Sequence, residues 1–216
     1  MRNHLAIRIL DYGVGNLHSV YRACKIYAND VQVVKEISNT DSASHLVLPG
    51  VGAFGVAMKS VKDNGLNEQI RMFIDSGKPL LGICVGMQIL CEVGHENGIH
   101  RGLGILDGTV MHLSDCLLST EIQVPNMGWS KVMRSEKTED SVLFRGLPSS
   151  FYAYFAHTYA VQMKSTNYVA SYIEIAAKRI TATVEKGNVY GIQFHPEKSG
   201  QTGLRIIENF IEINGQ

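Results

Sequence analysis

The chain has 216 residues, in which 20 lysine and arginine residues balance 20 aspartate and glutamate residues. Because this balance creates no extended field of one sign, we expect neither nucleic acid nor a membrane surface among the partners. The length suits one domain with its own hydrophobic core, so residues 1–216 are expected to form a single domain.

The cysteines and the N-terminal residues bear on where the protein works. The four cysteines show neither C-x-x-C spacing nor a pairing with histidine of the kind that binds zinc. We therefore predict reduced thiols, no metal and no cofactor. The apolar stretch at residues 5–10 is interrupted by Arg8 and is too short for a signal peptide or a membrane span. These features favour a cytoplasmic protein.

The first half of the chain alternates apolar strands with helices. The strands are expected at residues 5–10, 31–34 and 46–48, and a fourth short apolar strand leads from about Lys78 to the turn at Cys84. The helices are expected at residues 17–27 with Asn16 as N-cap, at about 56–74 with a break near Gly65, and from the turn at residue 84 to about residue 93. This alternation predicts a mostly parallel sheet covered by helices.

After Gly102 the pattern changes to short segments rich in β-type residues. These segments cover residues 108–113, 128–133, 152–161, 168–173, 180–184 and 189–194. We interpret them as antiparallel additions and as strands that return to the sheet. A last helix is expected at about residues 202–213.

A cysteine at a sharp turn is the first chemical signal. Gly82-x-Cys84-x-Gly86 is the nucleophile-elbow pattern with sulfur in place of a hydroxyl, between an apolar strand and a helix. The two glycines let the backbone turn back closely, which leaves Sγ exposed at a helix N-terminus that favours the thiolate. The alternative is a buried cysteine that packs like a small hydrophobic residue.

A glycine-rich turn follows the third predicted strand. Gly50-x-Gly52-x-x-Gly55 formally matches the dinucleotide fingerprint, and Asp75 lies about 20 residues further on. The fingerprint belongs to the first strand–helix turn, however, and its acidic residue to the end of the second strand. Backbone N–H groups that hold an oxyanion are the better functional interpretation, and a simple tight turn is the other one.

A histidine and a carboxylate close the last predicted strand. Pro196 stops that strand at His195, and the carboxyl ends of strands are where α/β sheets place their active sites. Glu197 could orient the imidazole and stabilise its protonated form, as the third member of a triad does. His157 is a plausible site residue without an obvious orienting partner, and Cys91 is expected in the core.

These stretches resemble the class I glutamine amidotransferases. The matching motifs are Pro49-Gly50-Val51-Gly52, Gly82-Ile83-Cys84-Val85-Gly86-Met87-Gln88 and Gln193-Phe194-His195-Pro196-Glu197-Lys198-Ser199. Within that family, Asp11-Tyr12-Gly13-Val14-Gly15-Asn16-Leu17 and Pro125-Asn126-Met127-Gly128-Trp129 are similar to the glutaminase subunits of imidazole glycerol phosphate synthases. The resemblance runs nearly end to end.

The resemblance implies a three-layer, flavodoxin-like α/β sandwich and a triad of Cys84, His195 and Glu197. In such a site the thiolate attacks the glutamine carboxamide, and the oxyanion is held by the Val85 N–H and by the turn around Gly50 and Gly52. A γ-glutamyl thioester forms as ammonia leaves, and water then releases glutamate. The following residues are implied to hold glutamine: Gln88, Thr158 and Tyr159.

The family also implies a protein partner. Ammonia passes to a separate synthase (cyclase) subunit in a heterodimer, which makes imidazole glycerol phosphate and AICAR in histidine biosynthesis. That subunit docks on the face carrying the active site, where Trp129 is an interface anchor or a cap on the edge of the core.

Two residues depart from the family pattern. The family reads Pro-His-Met-Gly-Trp-Asn where this chain has Asn126 and Ser130. Both lie in the stretch that the family turns toward its partner. The same chemistry feeding a sugar-amidinating synthase in surface-polysaccharide biosynthesis is therefore an alternative. A dinucleotide-binding domain and a catalytically silent interaction module are more remote ones.

Overall fold

The computed structural model describes residues 5–37, 43–117, 123–136 and 140–214. The helices are α1 (Leu17–Lys25), α2 (Phe54–Asp63), α3 (Leu66–Asp75), α4 (Val85–Gln88), α5 (Leu113–Leu117) and α6 (Gly200–Ile211). The strands are β1 (Ala6–Leu10), β2 (Asp30–Val34), β3 (His45–Gly50), β4 (Leu80–Cys84), β5 (Cys91–Gly94), β6 (His100–Arg101), β7 (Leu106–His112), β8 (Asn126–Arg134), β9 (Ser150–His157), β10 (Tyr159–Met163), β11 (Val169–Ile175), β12 (Lys178–Lys186) and β13 (Val189–Ile192).

A nine-stranded sheet runs through the molecule in the order β2-β1-β3-β4-β13-β12-β11-β8-β9. The first five strands are mutually parallel, and their order is that of a flavodoxin-like sheet. The other four are added antiparallel. The predicted fold class is confirmed, with a parallel part that carries antiparallel additions on one side.

The parallel strands are apolar because they are covered on both faces. Every residue of β1, β3, β4 and β13 is buried. Helix α1 packs against α6, and α2 packs against α3. Continuous apolar runs of this kind are typical of the centre of a parallel sheet. Asn16 caps α1 as expected, because its Oδ1 accepts a hydrogen bond from the Ser19 N–H at 3.4 Å.

The prediction of a helix from the elbow to about residue 93 was wrong. Helix α4 ends at Gln88, and Cys91–Gly94 is strand β5. The carbonyl of Ile89 accepts from the Leu103 N–H, and the carbonyl of Leu90 accepts from the N–H groups of residues 105 and 106, each at 2.8–2.9 Å. In a helix that reached residue 93 the Ile89 carbonyl would accept from the N–H of residue 93, so its pairing with a distant segment is incompatible with the longer helix.

The prediction of one strand over residues 152–161 was also wrong. Strand β9 ends at His157 and β10 begins at Tyr159, and the two belong to different sheets. Strand β10 joins a second sheet of order β10-β7-β5-β6, which the sequence did not predict. Thr158 therefore lies at a corner between two sheets. No helix in the described part of the chain is long and apolar enough to span a membrane.

Candidate active site

Cys84 sits in a strained turn between β4 and α4. Its φ is 55° and its ψ is −112°, a conformation that residues with a Cβ seldom adopt. Glycine is required on both sides, because a Cβ at Gly82 would lie 2.7 Å from the Gly86 carbonyl oxygen and a Cβ at Gly86 would lie 1.7 Å from the Leu48 carbonyl oxygen. The elbow predicted from Gly-x-Cys-x-Gly is present, with Cys84 at its apex.

His195 and Glu197 lie beside this cysteine. The His195 Nδ1–H donates to Glu197 Oε1 at 2.9 Å, and both side chains are almost completely buried. Since Nδ1 is engaged, Nε2 is the nitrogen left to interact with Cys84, which lines the same cleft and acts on the imidazole. The strand before this motif ends at Ile192 rather than at His195, so His195 follows a short irregular segment.

The charge of His195 follows from its partners. Burial by itself lowers the pKa of the imidazole. The hydrogen bonds and the charges of Cys84 and Glu197 outweigh that effect and raise the pKa of His195 to about 9. At neutral pH the site therefore holds an imidazolium between a sulfur and a carboxylate. This is the proton-carrying group that a cysteine nucleophile needs.

An antiparallel strand fixes the backbone of His195. The His195 N–H donates to the Tyr154 carbonyl at 2.9 Å, and the Ser199 hydroxyl donates to the His195 carbonyl at 2.7 Å. The same hydroxyl accepts from the Tyr154 N–H at 2.9 Å. The strands added after the parallel core thus hold the histidine against the elbow.

The glycine-rich turn lies next to the elbow. Gly50 is the last residue of β3 and stands opposite Cys84 in the pairing of β3 with β4. A Cβ at Gly50 would lie 2.6 Å from the Gly86 N and 2.9 Å from Val85 Cβ. Gly52 has a φ of 94°, which favours glycine. The turn and the Val85 N–H therefore border the same space.

That space is a cleft of about 330 Å³ above the cysteine. Its lining includes Gly52, Cys84, Val85, Gln88, Thr158, Tyr159 and His195, which are sequence-predicted site residues. Glu96 also lines it and was not predicted; its Oε2 accepts from the Phe54 N–H at 2.7 Å, at the start of α2. A carboxylate in the cleft offers a partner to an ammonium group.

Asp75, the acidic residue that the dinucleotide interpretation requires, is exposed at the end of α3 and does not line this cleft. The dinucleotide interpretation therefore loses its acidic residue.

A chain of amide hydrogen bonds reaches the sulfur from inside the protein. Gln88 Nε2 donates to the Tyr159 carbonyl at 3.1 Å and to Gln193 Oε1 at 3.0 Å. Gln193 Nε2 then donates to Cys84 Sγ at 3.7 Å. Gln193 was quoted in the sequence motif but given no role there. The contact places a hydrogen-bond donor on the sulfur from the inner side of the site.

The geometry agrees with what comparison with known proteins finds. A sequence model of the family "Glutamine amidotransferase class-I" matches residues 8–213. The chain belongs to this family. The imidazole glycerol phosphate synthase subunit HisH of Chlorobaculum tepidum is 38% identical over 205 residues, which cover 95% of this chain and 98% of that protein. The subunit of the same name from Symbiobacterium thermophilum is 41% identical over 204 residues, covering 94% and 92%.

Solved structures show the same fold. A glutamine amidotransferase superposes with a TM-score of 0.70 at 19% identity, covering 96% of this chain and 100% of that one. The structure of PurLQS from Thermotoga maritima gives a TM-score of 0.70 at 18% identity, covering 97% and 98%. At these identities the likeness concerns the fold alone.

In this amidotransferase His157 has two partners, contrary to the expectation that it lacks an orienting one. Its Nδ1–H donates to the Tyr159 carbonyl at 2.9 Å, and its Nε2 accepts from Asn126 Nδ2 at 2.9 Å. Burial, the largest influence, lowers the pKa of His157 to about 4, so the ring is neutral. The Asn126 amide is thus engaged within the amidotransferase. Its tie to His157 and Tyr159 links strand β8 to the floor of the cleft.

Large side chains project from the sheet beside the amidotransferase cleft. Met127 is 66% exposed, and Trp129 and Tyr152 are each 58% exposed. Trp129 meets the Tyr154 ring edge-on, at 6.4 Å between ring centroids, and its exposure speaks against a role as a cap on the core. An exposed group of this kind, next to the cleft, has the composition of an interface centre.

Proposed function

We propose that the chain is the glutaminase subunit of an imidazole glycerol phosphate synthase. It hydrolyses glutamine to glutamate and ammonia and delivers the ammonia to a synthase subunit in histidine biosynthesis. The observation that carries the glutaminase chemistry is the Cys84 elbow in contact with His195, whose other nitrogen is held by Glu197. The relatives named as imidazole glycerol phosphate synthase subunits support the choice of partner.

In the first half-reaction the Cys84 thiolate attacks the carboxamide carbon of glutamine. The negative charge moves to the carboxamide oxygen, for which the Val85 N–H and the turn at residues 50–52 supply donors. The imidazolium of His195 gives its proton to the departing nitrogen, so ammonia leaves and a γ-glutamyl thioester remains. Glu197 stabilises the positive ring until this transfer.

In the second half-reaction the now neutral His195 takes a proton from water. The hydroxide attacks the thioester carbon, the bond to sulfur breaks, and glutamate and the thiolate are regenerated. The imidazolium is restored in the same step, so the cycle closes without a cofactor. The pKa of about 9 at His195 is consistent with its role as the acid at neutral pH.

The cleft provides groups for the rest of the glutamine molecule. We assign the substrate backbone to Thr158 and Tyr159, at the corner between the two sheets, and to Gln88, which is tied to the Tyr159 carbonyl. Glu96 is the carboxylate that we assign to the α-ammonium group, because it lines the same cleft. Opposite charges in a partly buried cleft discriminate glutamine from its deaminated analogues.

The proposal extends to the setting of the enzyme. We take residues 1–216 to be one glutaminase domain that works in the cytoplasm, where its free cysteines stay reduced. The partner is a synthase subunit in a heterodimer, docked on the exposed group formed by Met127, Trp129 and Tyr152. Asn126 lies on β8, the strand that carries Met127 and Trp129, but its amide points inward to His157.

The glutaminase assignment is tested by Cys84→Ala. The variant should fold, because little packing is lost, and should release no glutamate above background in the presence of the synthase subunit. His195→Ala should be nearly as severe and the double variant little worse, since triad members act as a unit. Cys116→Ala, at a cysteine in α5, is the control and should keep full activity. Glutamate release by Cys84→Ala at the unmodified rate would refute the mechanism.

The pathway needs a separate test, because Asn126 and Ser130 depart from the family pattern. The purified chain is mixed with a histidine-pathway synthase subunit and, separately, with a sugar-amidinating synthase. Acceptor-dependent glutamine turnover is measured in each mixture. We expect stimulation by the histidine-pathway partner. Stimulation only by the sugar-amidinating enzyme would replace the pathway and leave the glutaminase chemistry intact.

A further inference from the structure

A tyrosine hydroxyl lies buried behind the glycine-rich turn with no partner. Tyr12 follows β1 and is 1% exposed. Within the described residues its hydroxyl has no hydrogen-bond partner. A buried hydroxyl left unpaired costs about 1–3 kcal/mol, and phenylalanine would fill the same volume without that cost. We therefore expect this hydroxyl to form a hydrogen bond in another conformational state of the protein.

The atoms around this hydroxyl identify the segment that could supply one. A Cβ built on Gly50 would lie 2.6 Å from the Tyr12 hydroxyl, so the hydroxyl packs directly over the Gly50 backbone. The Ser60 hydroxyl of α2 donates to the Tyr12 carbonyl and holds the tyrosine in place. The charge of Cys84 also reaches Tyr12: burial first, and that charge second, raise the pKa of its phenol. Tyr12 thus lies close to the end of β3, where the turn begins and where Gly50 also approaches the elbow.

The backbone of residues 50–52, next to this hydroxyl, has room to rotate. Strand β3 ends at Gly50, and α2 begins at Phe54, whose N–H is held by Glu96. Between them, Gly52 has a φ of 94° with open space around its Cα. Glycines on both sides of Val51 make either orientation of the intervening peptides accessible. Val51 and Gly52 line the cleft, whereas Tyr12 lies on the buried side.

We propose that the Tyr12 hydroxyl is a positioning group that latches the oxyanion turn in its active orientation by donating to the Gly50 carbonyl. The carbonyl and N–H of one peptide point in opposite directions. A Gly50 carbonyl turned inward to Tyr12 therefore turns the Val51 N–H outward into the cleft, toward the oxyanion. This inference rests on the proposed glutaminase function and adds a residue that neither contacts substrate nor belongs to the triad.

The test is Tyr12→Phe, which removes only the oxygen. The variant is assayed alone and with its synthase subunit and acceptor, for kcat, KM and the rate of Cys84 alkylation by iodoacetamide. Losing an oxyanion donor costs about 100- to 1,000-fold in rate. Because the latch only biases the orientation of that donor, we expect the stimulated kcat to fall about tenfold or more. KM, the alkylation rate and the unstimulated rate should stay unchanged.

The control is Ser171→Ala in β11. Ser171 is also buried, and its hydroxyl is also unpartnered within the described residues. Both variants should be as stable as the parent or slightly more stable, but only Tyr12→Phe should lose stimulation. An unchanged stimulated kcat in Tyr12→Phe overturns the latch, and so does an equal loss with and without the partner. Failure of the proposed function itself would look different, since the unmodified protein would then release no glutamate in any mixture.

Discussion

At the scale of single residues, the carboxylate of Glu197 controls the proton on His195. Its hydrogen bond and charge help to raise the pKa of the imidazole to about 9. Above that pH the ring loses the proton that departing ammonia needs, so kcat/KM should fall on the basic side. Glu197→Gln removes the charge and should move this fall to lower pH. The measurement is kcat/KM for glutamine in the complex, from neutral pH to about pH 10.5.

The control for this shift is Glu174→Gln, the same chemical change at an exposed position of β11. It should leave the basic side of the profile in place. A Glu197→Gln profile that coincides with the parent profile would contradict the role given to the carboxylate. The size of the shift would measure how much of the raised pKa depends on Glu197 and how much on Cys84.

The residues that the sequence predicted are those whose signals are local. Cys84 is flagged by two glycines within two positions, and Glu197 lies two residues from His195. Glu96 and Gln193 were not predicted, because each contacts a residue that is distant in the sequence. Glu96 is 42 residues from its partner Phe54, and Gln193 is 109 residues from Cys84. His157 was found as a site residue, but its partner Asn126 lies 31 residues away on another strand.

At the scale of elements, the elbow is the part most sensitive to a single methyl group. A Cβ at Gly86 would lie 1.7 Å from the Leu48 carbonyl oxygen, which belongs to the rigid strand β3. Gly86→Ala should therefore lower the free energy of unfolding by more than about 3 kcal/mol, the upper range for overpacking a well-filled core. Urea unfolding at equilibrium measures this change.

Gly187→Ala is the matched control for the elbow. Gly187 has a φ of 60° but open space around its Cα, so alanine there meets backbone strain without a clash. Strain of that kind costs about 1–2 kcal/mol. If Gly86→Ala lowers the free energy of unfolding no more than Gly187→Ala does, then β3 can move away from the added methyl group. The elbow would then be less rigid than its contacts imply.

The boundaries of elements were predicted well where they depend on near neighbours and poorly where they depend on distant ones. Asn16 caps α1 through a residue three positions away, and that cap was predicted. Beyond α4, the N–H groups of residues 102–106 pair with the carbonyls of residues 89–92 and hold that segment as part of strand β5 rather than as helix. No local pattern in residues 85–93 contains that information.

At the scale of the whole molecule, the parallel core and the added strands have different tasks. The core supplies Cys84 at the end of β4 and the glycine-rich turn, the proposed oxyanion site, at the end of β3. The antiparallel part supplies the Tyr154 carbonyl that anchors His195 and the exposed side chains of β8. The proposed triad is therefore complete only when the two parts are packed together. Local unfolding of β9 should therefore release His195 and stop catalysis while the parallel core is still folded.

Two buried neutral histidines tie the stability of this assembly to pH. His45 lies in β3, 5.2 Å from Phe210 of α6 between ring centroids, and His157 lies at the end of β9. Burial is the main cause that lowers the pKa of each to about 4, from an ordinary value of 6.5. Between those two values the unfolded chain binds more protons than the folded one, so acid favours unfolding.

The contribution of these two histidines to the free energy of unfolding should thus be fully present above about pH 6.5 and should decline as the pH falls toward 4, by roughly 1–3 kcal/mol for each histidine. Burial raises the pKa of Glu185, which works in the opposite direction, so the comparison must be made between variants.

His45→Asn should have a lower free energy of unfolding at pH 7, but that free energy should fall less on acidification than in the parent. His18→Asn, at an exposed residue of α1, should keep the parent slope. Urea unfolding at several pH values measures these slopes. Identical slopes in the parent and in His45→Asn would mean that His45 is already protonated, or accessible to protons, in the folded protein.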